Sequence, residues 1–384
     1  MKIKYYLLLM AAALLYVSCS DEPDDSATRP TAEFKVIQDR VIELTYNDFG
    51  FLESAQYLSK YDPDSLKLLG GCTALVLDHK IDGKQYVARN QDYYCSYAPA
   101  VIVRNNGGTY KTIGFTCNGI SFDPWTDAAT YQIKSSTLKS APYFCVDVMN
   151  EKGLYMETDI RAYEEFSKCE HTSAGKPRLC THTFMQLMLS NYASIDSIKA
   201  HMNDYDWFDL EAMGFHEAFL CADPSGRSVV FEFANNKVQC IESDCNANYF
   251  LTPELYAQEE YGCGENRVDS LRKYMPRVKT EDDIFAMLSH SAYTQFYSVD
   301  VDPDFAIPEF YEDIGYTRSR YIADPEGARR AFKEYITTHQ YATWQDRVDN
   351  YIWETTFMTA ANLTDRKMHV HFSEHYGIDF TVGF

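Results

Sequence analysis

Short apolar runs closed by turn residues alternate along this chain with sets of apolar residues at helical spacing. Residues 34–44 and 52–69 carry apolar positions at helix-compatible intervals, which predicts helical structure ahead of the first strand. That strand is the run Cys72-Thr73-Ala74-Leu75-Val76-Leu77, directly after Gly70-Gly71. Asp82-Gly83 then predicts a tight two-residue hairpin, because both central positions favour positive φ. With Ile81 opposite Lys84, continued pairing places Asp92 opposite Thr73 and Arg89 opposite Val76. Strict alternation sends Arg89 and Asp92 to opposite faces of the sheet. A single site using both then requires a bulge or a strand end between them.

Further on, strands at 143–149 and 154–159 flank the turn Asn150-Glu151-Lys152-Gly153. Residues 215–222, 228–234 and 238–242 form a three-strand meander, with turns at Asp223-Pro224-Ser225-Gly226 and Asn235-Asn236. Helices are predicted over 181–202 with a break near Ser194, over 266–275, over 282–290 with Thr280 as cap, and from Asp324-Pro325 to residue 335. A last hairpin joins 355–360 to 367–372. Strand groups interrupted by helix groups imply an α+β fold with antiparallel sheets buried under helices.

The N-terminal stretch is of another kind. Lys2 and Lys4 precede an apolar run over 5–17 that ends in Ser18-Cys19, the pattern of a secretory signal peptide. The run falls short of the roughly 20 apolar residues a membrane span needs. Ser18-Cys19 resembles a bacterial lipoprotein cleavage site, with Cys19 as the lipidated N-terminus, although Tyr16 stands where leucine is usual. A plain signal peptide with a chance cysteine is the other reading. The acidic stretch 20–25 reads as a solvated tether. The expected organisation is a signal peptide over 1–18, a lipidated tether and pro-segment over 19–71, and a catalytic domain over 72–384. The expected location is the bacterial cell envelope, on the periplasmic face or the cell surface.

Composition narrows the classes. An apolar fraction of 46% supports a real core, and a net charge of −21 argues against a nucleic-acid partner. Of eleven cysteines, Cys169 with Cys180 and Cys245 with Cys263 are candidate disulfides for an exported chain. Cys117, Cys145, Cys221 and Cys240 sit in apolar strand-like contexts and read as buried small hydrophobes. No Cys-x-x-Cys pair occurs and the histidines lack metal-ligand spacing, so neither metal nor cofactor is expected.

Cys72 carries the candidate chemistry. A thiol with an ordinary pKa of about 8.5 needs help to ionise at neutral pH. His79 lies late on the same strand and His216 opens a distant one, so no histidine has a clear claim as base. The alternative base is the residue's own α-amine, of pKa about 7.7–8.0, which exists only if the Gly71–Cys72 bond is cut. Asp92 is then placed to orient the amine, and Arg89 to lower the thiol pKa. On residue types alone, a buried strand cysteine beside a structural Arg89–Asp92 ion pair fits equally well.

Several blocks now stand in order: Cys72-Thr73, Arg89-Asn90-Gln91-Asp92, Met149-Asn150-Glu151-Lys152-Gly153-Leu154, the 216–233 meander with Asp223, Gly226 and Glu232, and the hairpin from Thr355. Together they resemble the choloylglycine hydrolase family of linear amide C–N hydrolases, which includes bile salt hydrolases, penicillin V acylases, acid ceramidases and penicillin acyltransferases. The resemblance implies a four-layer αββα N-terminal-nucleophile sandwich that hydrolyses a small-molecule N-acyl amide. It implies Cys72 as nucleophile, with Arg89 and Asp92 as its supporting pair. It further implies Asn248 as a side-chain donor to the oxyanion, a backbone N–H near Asp159 or Ile160 as the second donor, and Arg267 as a second site arginine, with Arg320 its rival. Leu251-Thr252-Pro253 stands where the bile salt hydrolase branch has Leu-Thr-Asn, which puts bile-salt specificity in doubt. The long stretch before Cys72 is similar to the propeptide of the ceramidase branch. An acyltransferase, in which an amine replaces water, and a non-catalytic surface binding lipoprotein on the same fold are the competing functions.

Overall fold

A computed structural model describes residues 32–38, 41–59, 71–94, 100–117, 141–162, 175–209, 215–256, 264–292, 315, 317–324, 327, 331, 353–372 and 378–384. The expected signal peptide, Cys19, the acidic tether and most of the helix expected from Asp324 lie outside these residues, as do Cys169 and Cys263. Cys180 and Cys245 are free thiols.

Nine strands make the larger sheet: β1 (Ala32–Gln38), β2 (Val41–Tyr46), β5 (Ala100–Asn105), β6 (Thr112–Cys117), β7 (Asp147–Asn150), β8 (Tyr155–Ala162), β11 (Phe215–Ala222), β12 (Ser228–Ala234) and β13 (Lys237–Glu242), in that spatial order. Among the described residues of this sheet, only the β2–β5 contact is parallel. The second sheet has six antiparallel strands: β14 (Cys245–Ala247), β3 (Gly71–Val76), β4 (Tyr86–Tyr94), β15 (Trp353–Asn362), β16 (Lys367–Phe372) and β17 (Ile378–Gly383). A small parallel pair, β9 (Arg178–Cys180) with β10 (Asp206–Phe208), stands apart. The helices are α1 (Phe51–Leu58), α2 (Phe184–Asn191), α3 (Ile195–His201), α4 (Pro253–Tyr256), α5 (Glu265–Tyr274), α6 (Glu281–Leu288) and α7 (Arg318–Ala323).

Alternation along the strands separates three apolar cores. Ala74, Val76, Val87, Ile102, Phe115, Leu220 and Val370 fill the space between the two sheets. On the outer face of the larger sheet, Leu44, Val103, Met156 and Phe219 pack on Leu58, Phe184, Met188 and Ile198 of α1, α2 and α3. On the outer face of the smaller sheet, Leu75, Ala88 and Met358 pack on Val268, Leu271, Ile284 and Leu288 of α5 and α6. Helix, sheet, sheet, helix is the four-layer αββα order expected.

Local signals translated well where they were self-contained. Ser194 caps α3 through a capping box with Ser197, and Thr280 caps α6 through one with Asp283. Asn235 and Asn236 both take positive φ, closing β12 onto β13.

Several expectations are corrected. Residues 34–44 form parts of β1 and β2 rather than a helix. Val36, Ile37, Val41 and Ile42 are β-branched and suit a strand, and β2 gains a full ladder against β5. Of the 52–69 helix, the described part is α1. The strand expected at 143–149 begins only at Asp147, after a 3-10 turn over Ala141–Phe144. A further strand, β17, follows the hairpin expected to be last, and α7 precedes Asp324.

The hairpin register also differs. Ile81 does face Lys84, but Cys72 pairs with Gln91 and Gly71 with Asp92, a shift of two residues. Residues 78–80 face Gln85 alone, and Gln85 Nε2 donates to the Leu77 carbonyl at 2.7 Å across this irregularity. A shift of two preserves the faces.

Candidate active site

Cys72 shares its side of β3 with Ala74 and Val76, so the thiol points between the sheets. It is 1% exposed. Directly opposite on β4 is Gln91, whose Oε1 lies 3.1 Å from Sγ. Arg89, two residues back on the same face, brings Nη2 to 3.4 Å from Sγ.

The guanidinium is fixed from the other sheet. Arg89 Nη1 meets Asp147 Oδ2 at 2.6 Å, Nε meets Glu157 Oε2 at 2.9 Å, and Nη2 donates to the Thr158 carbonyl at 2.6 Å. Tyr155 in turn donates to Asp147, and Asn246 Nδ2 to Glu157 at 2.8 Å. The arginine therefore ties the two sheets together at the base of the thiol.

Asn90 and Asp92 point the other way, toward the helices. Asn90 Nδ2 donates to the Leu288 carbonyl and to Ser291 Oγ, both at 3.0 Å. Asp92 Oδ1 accepts from Thr355 Oγ1 at 2.6 Å, and Oδ2 accepts from Arg267 Nη1 at 3.1 Å. Strict alternation holds from Arg89 to Asp92, with no bulge in β4. The Arg89–Asp92 ion pair of the non-catalytic reading does not form: Arg89 pairs with Asp147 and Glu157, and Asp92 with Arg267.

The two residues approach Cys72 from different sides. Arg89 reaches the thiol, while Asp92 reaches the main-chain nitrogen through intermediaries. Cys72 N–H donates to Asn248 Oδ1 at 3.0 Å, and Arg267 Nη2 donates to the same oxygen at 2.5 Å. Arg320, the rival arginine, instead donates to the Gly315 carbonyl at an exposed position. Gly264, just ahead of α5, has φ +104. A Cβ there would lie 2.5 Å from Arg267 Nη2 and 2.9 Å from Ala247 Cβ, so glycine leaves room for the guanidinium.

Asn248 presents its oxygen, not its nitrogen, to Cys72. Its Nδ2 donates to Asp159 Oδ1 at 2.9 Å and to the Ile160 carbonyl at 2.8 Å. The Ile160 N–H also donates to Asp159 Oδ1, at 3.0 Å. Both groups expected to hold an oxyanion thus converge on one carboxylate oxygen in the uncut chain, and the oxyanion role needs the Asn248 amide turned over.

Sequence reasoning missed most of the supporting charge. Glu157, Asp159 and Arg161 alternate along β8 and face the second sheet, all buried. Arg161 donates to the Ala247 carbonyl and to Asn246, and its Nε lies 3.3 Å from Glu232 Oε1. Glu232 also accepts from the Leu251 and Thr252 N–H groups at 3.0 and 2.8 Å. This pair anchors β14 and so places Asn248. Their pattern, three charged positions two apart on the strand after the Asn150 turn, is equally that of a solvent-facing strand side.

Burial dominates the electrostatics. It pushes the Cys72 thiol well above its ordinary range, Asp159 adds to the push, and Arg89 opposes it. Burial likewise raises the carboxyls of Asp147, Glu157 and Asp159, against the pull of nearby arginines. The thiol in this uncut form is therefore neutral. His79 bonds Asp78 and the Val278 carbonyl and takes no part.

Among the described residues one group of metal-ligating side chains converges, His369, His371 and Asp379. It sits on β16 and β17, away from the strand of Cys72. His369 is bonded through Nδ1 to Glu281 at 2.7 Å and through Nε2 to Asp379 at 2.6 Å.

Residues 72–248 match the family described as linear amide C–N hydrolases, choloylglycine hydrolase family. Among solved structures, the chain is similar to a variant of conjugated bile acid hydrolase from Clostridium perfringens, at 14% identity and a TM-score of 0.43, over 81% of this chain and 92% of that one. It is also similar to penicillin V acylase from Agrobacterium tumefaciens, at 14% identity and a TM-score of 0.45, over 82% of this chain and 86% of that one. Among curated proteins, none matches the chain. Over residues 72–248, somewhat less than half of the chain, the match is thus to hydrolases that act on carbon–nitrogen bonds in linear amides.

Proposed function

We propose that this protein is a cysteine N-terminal-nucleophile amidase that cuts its own Gly71–Cys72 bond and then hydrolyses an N-acyl amide of a small molecule. One observation carries the reading: the Cys72 thiol meets a buried arginine while its main-chain nitrogen meets Asn248, itself held by Arg267 and Asp92. Thiol and nitrogen of one residue are held separately, as a nucleophile and its own base require.

In the first reaction Sγ attacks the Gly71 carbonyl and the Cys72 nitrogen leaves with a proton. Water then releases Gly71 as a carboxylate and restores the thiol. In turnover the freed amine takes the thiol proton as Sγ adds to the substrate carbonyl. That proton passes to the leaving amine, and water hydrolyses the acyl-thioester. Arg89, fixed by Asp147 and Glu157, stabilises negative charge at sulfur.

The segment ahead of the cut is built into the sandwich. β2 forms a ladder with β5, Val41 lies in the core between the sheets, and α1 packs in the outer helix layer. After scission the short piece stays bound, and a lipid on Cys19 then holds the enzyme at the cell envelope.

The test is a substrate screen on protein expressed from Ser20. Penicillin V, conjugated bile acids and N-acyl amino acids serve as amide probes, with products separated by mass and Cys72→Ala as control. Release of a free acid by the wild type alone is expected. Equal, background release from both proteins would refute the amidase reading.

A further inference from the structure

We infer that Asp159 is a further residue of this site, whose carboxylate accepts a hydrogen from the Cys72 α-amine once the chain is cut. The inference rests on the self-cleavage reading and extends it.

Three observations lead there. First, Asp159 Oδ2 is buried and has no hydrogen-bond partner. A buried carboxylate oxygen without a donor carries an uncompensated desolvation cost. Such an atom in an otherwise well-bonded site calls for a donor that arrives later.

Second, Asp159 is rigidly aimed. Its Oδ1 accepts from both Asn248 Nδ2 and the Ile160 N–H. Asn248 is the same side chain whose Oδ1 takes the single hydrogen of the Cys72 main-chain nitrogen. Asp159 is therefore one side chain away from that nitrogen. Among charged groups acting on the Cys72 thiol it is the strongest, ahead of Arg89.

Third, the count of donors changes on scission. The peptide nitrogen of Cys72 carries one hydrogen, and the free amine carries two. Asn248 Oδ1 accommodates the first. Asp92, the acceptor expected from sequence, already engages Thr355 and Arg267 through its two oxygens. The unpartnered oxygen of Asp159 matches the new hydrogen. Cutting the chain thereby supplies a donor to a carboxylate oxygen that the uncut chain leaves without one.

The role has an electrostatic signature. A carboxylate beside the amine favours its protonated form, as do Glu157 and Asp92, offsetting Arg89, Arg161 and Arg267, which favour the neutral amine. Asp159 thus sets the pH at which the base becomes available.

Asp159→Asn is the informative variant, because its amide oxygen can keep both bonds made by Oδ1 while its NH2 replaces the free acceptor with a donor. The wild type is first shown to begin at Cys72 and to hydrolyse an amide probe. The acid limb of kcat/KM against pH is then expected to move to lower pH by about one unit or more in Asp159→Asn, with KM little changed. Asp159→Glu, which keeps a carboxylate, should return the limb toward the wild type, and should restore scission if the asparagine slows it. An acid limb at the wild-type pH in a processed Asp159→Asn enzyme would overturn the inference and leave the amidase reading standing. A folded Asp159→Asn chain that stays uncut, with no rescue by glutamate, would also overturn it. An uncut wild type would remove both.

Discussion

The main-chain nitrogen of Cys72 and the side-chain oxygen of Asn248 are joined by a hydrogen bond of 3.0 Å. That bond links β3 to the residue following β14, and through Arg267 to α5 and Asp92. Replacing Asn248 with alanine leaves a buried N–H and the Arg267 guanidinium without this acceptor. Losing such a partner costs about 1–3 kcal/mol, so scission and turnover should both slow by roughly tenfold or more. A time course of the uncut chain by gel, beside initial rates, measures both.

Arg89 bridges the thiol to Asp147 and Glu157 of the opposite sheet, and its absence would strand those two carboxyls. Breaking a buried pair by removing one partner costs about 3–5 kcal/mol. Arg89→Met should lower the urea midpoint sharply, and adding Asp147→Asn and Glu157→Gln should recover part of the loss. Full additivity of the three changes would show that they do not interact.

Stability should depend on pH through Glu157. Burial pushes its carboxyl up from 4.5 to about 8 despite the pull of Arg89. Between those values the folded chain holds a proton that the unfolded chain has lost. The stabilisation is therefore complete below about 4.5 and is lost as pH rises to about 8. Glu157→Gln should flatten the fall in unfolding free energy across this window, measured by urea titration at several pH values.

Scission should not release the short piece. β2 and α1 bury Val41, Ile42, Leu44, Ala55 and Leu58 within the two larger cores. The pieces before and after Cys72 should co-elute on size exclusion in native buffer and separate only in denaturant. Elution of the 72–384 piece alone, still folded, would contradict this.

What the sequence disclosed depended on how local each signal is. Asp82 and Gly83 take φ of 50 and 78, as the hairpin requires, because their conformational preference is their own. The register beyond them was not legible, since residues 78–80 bulge against Gln85 and are held by a side-chain bond to a backbone carbonyl. The alternation of Arg89 and Asp92 was read correctly, yet a bulge or strand end was expected wherever one site used both. The resolution needed Arg267 and Asn248, more than 150 residues away in the chain, to bring Asp92 to bear on the nitrogen of Cys72.

The charged positions of β8 were hidden for a different reason. Glu157, Asp159 and Arg161 at alternate positions look like the solvent face of a half-buried strand. They are buried because β4 and β14 cover them with Arg89 and Asn246, partners that strand periodicity does not identify. Residues 34–44 were misread because their apolar spacing suits either period, and the ladder with β5 decided the outcome.

The central claim is that Cys72 becomes an N-terminus. Intact mass and N-terminal sequencing of the protein expressed from Ser20, beside Cys72→Ala, test it most directly. The account predicts a new chain beginning at Cys72 in the wild type and only the uncut chain in the variant. An uncut chain in both would contradict it, because the α-amine on which the mechanism depends would not exist.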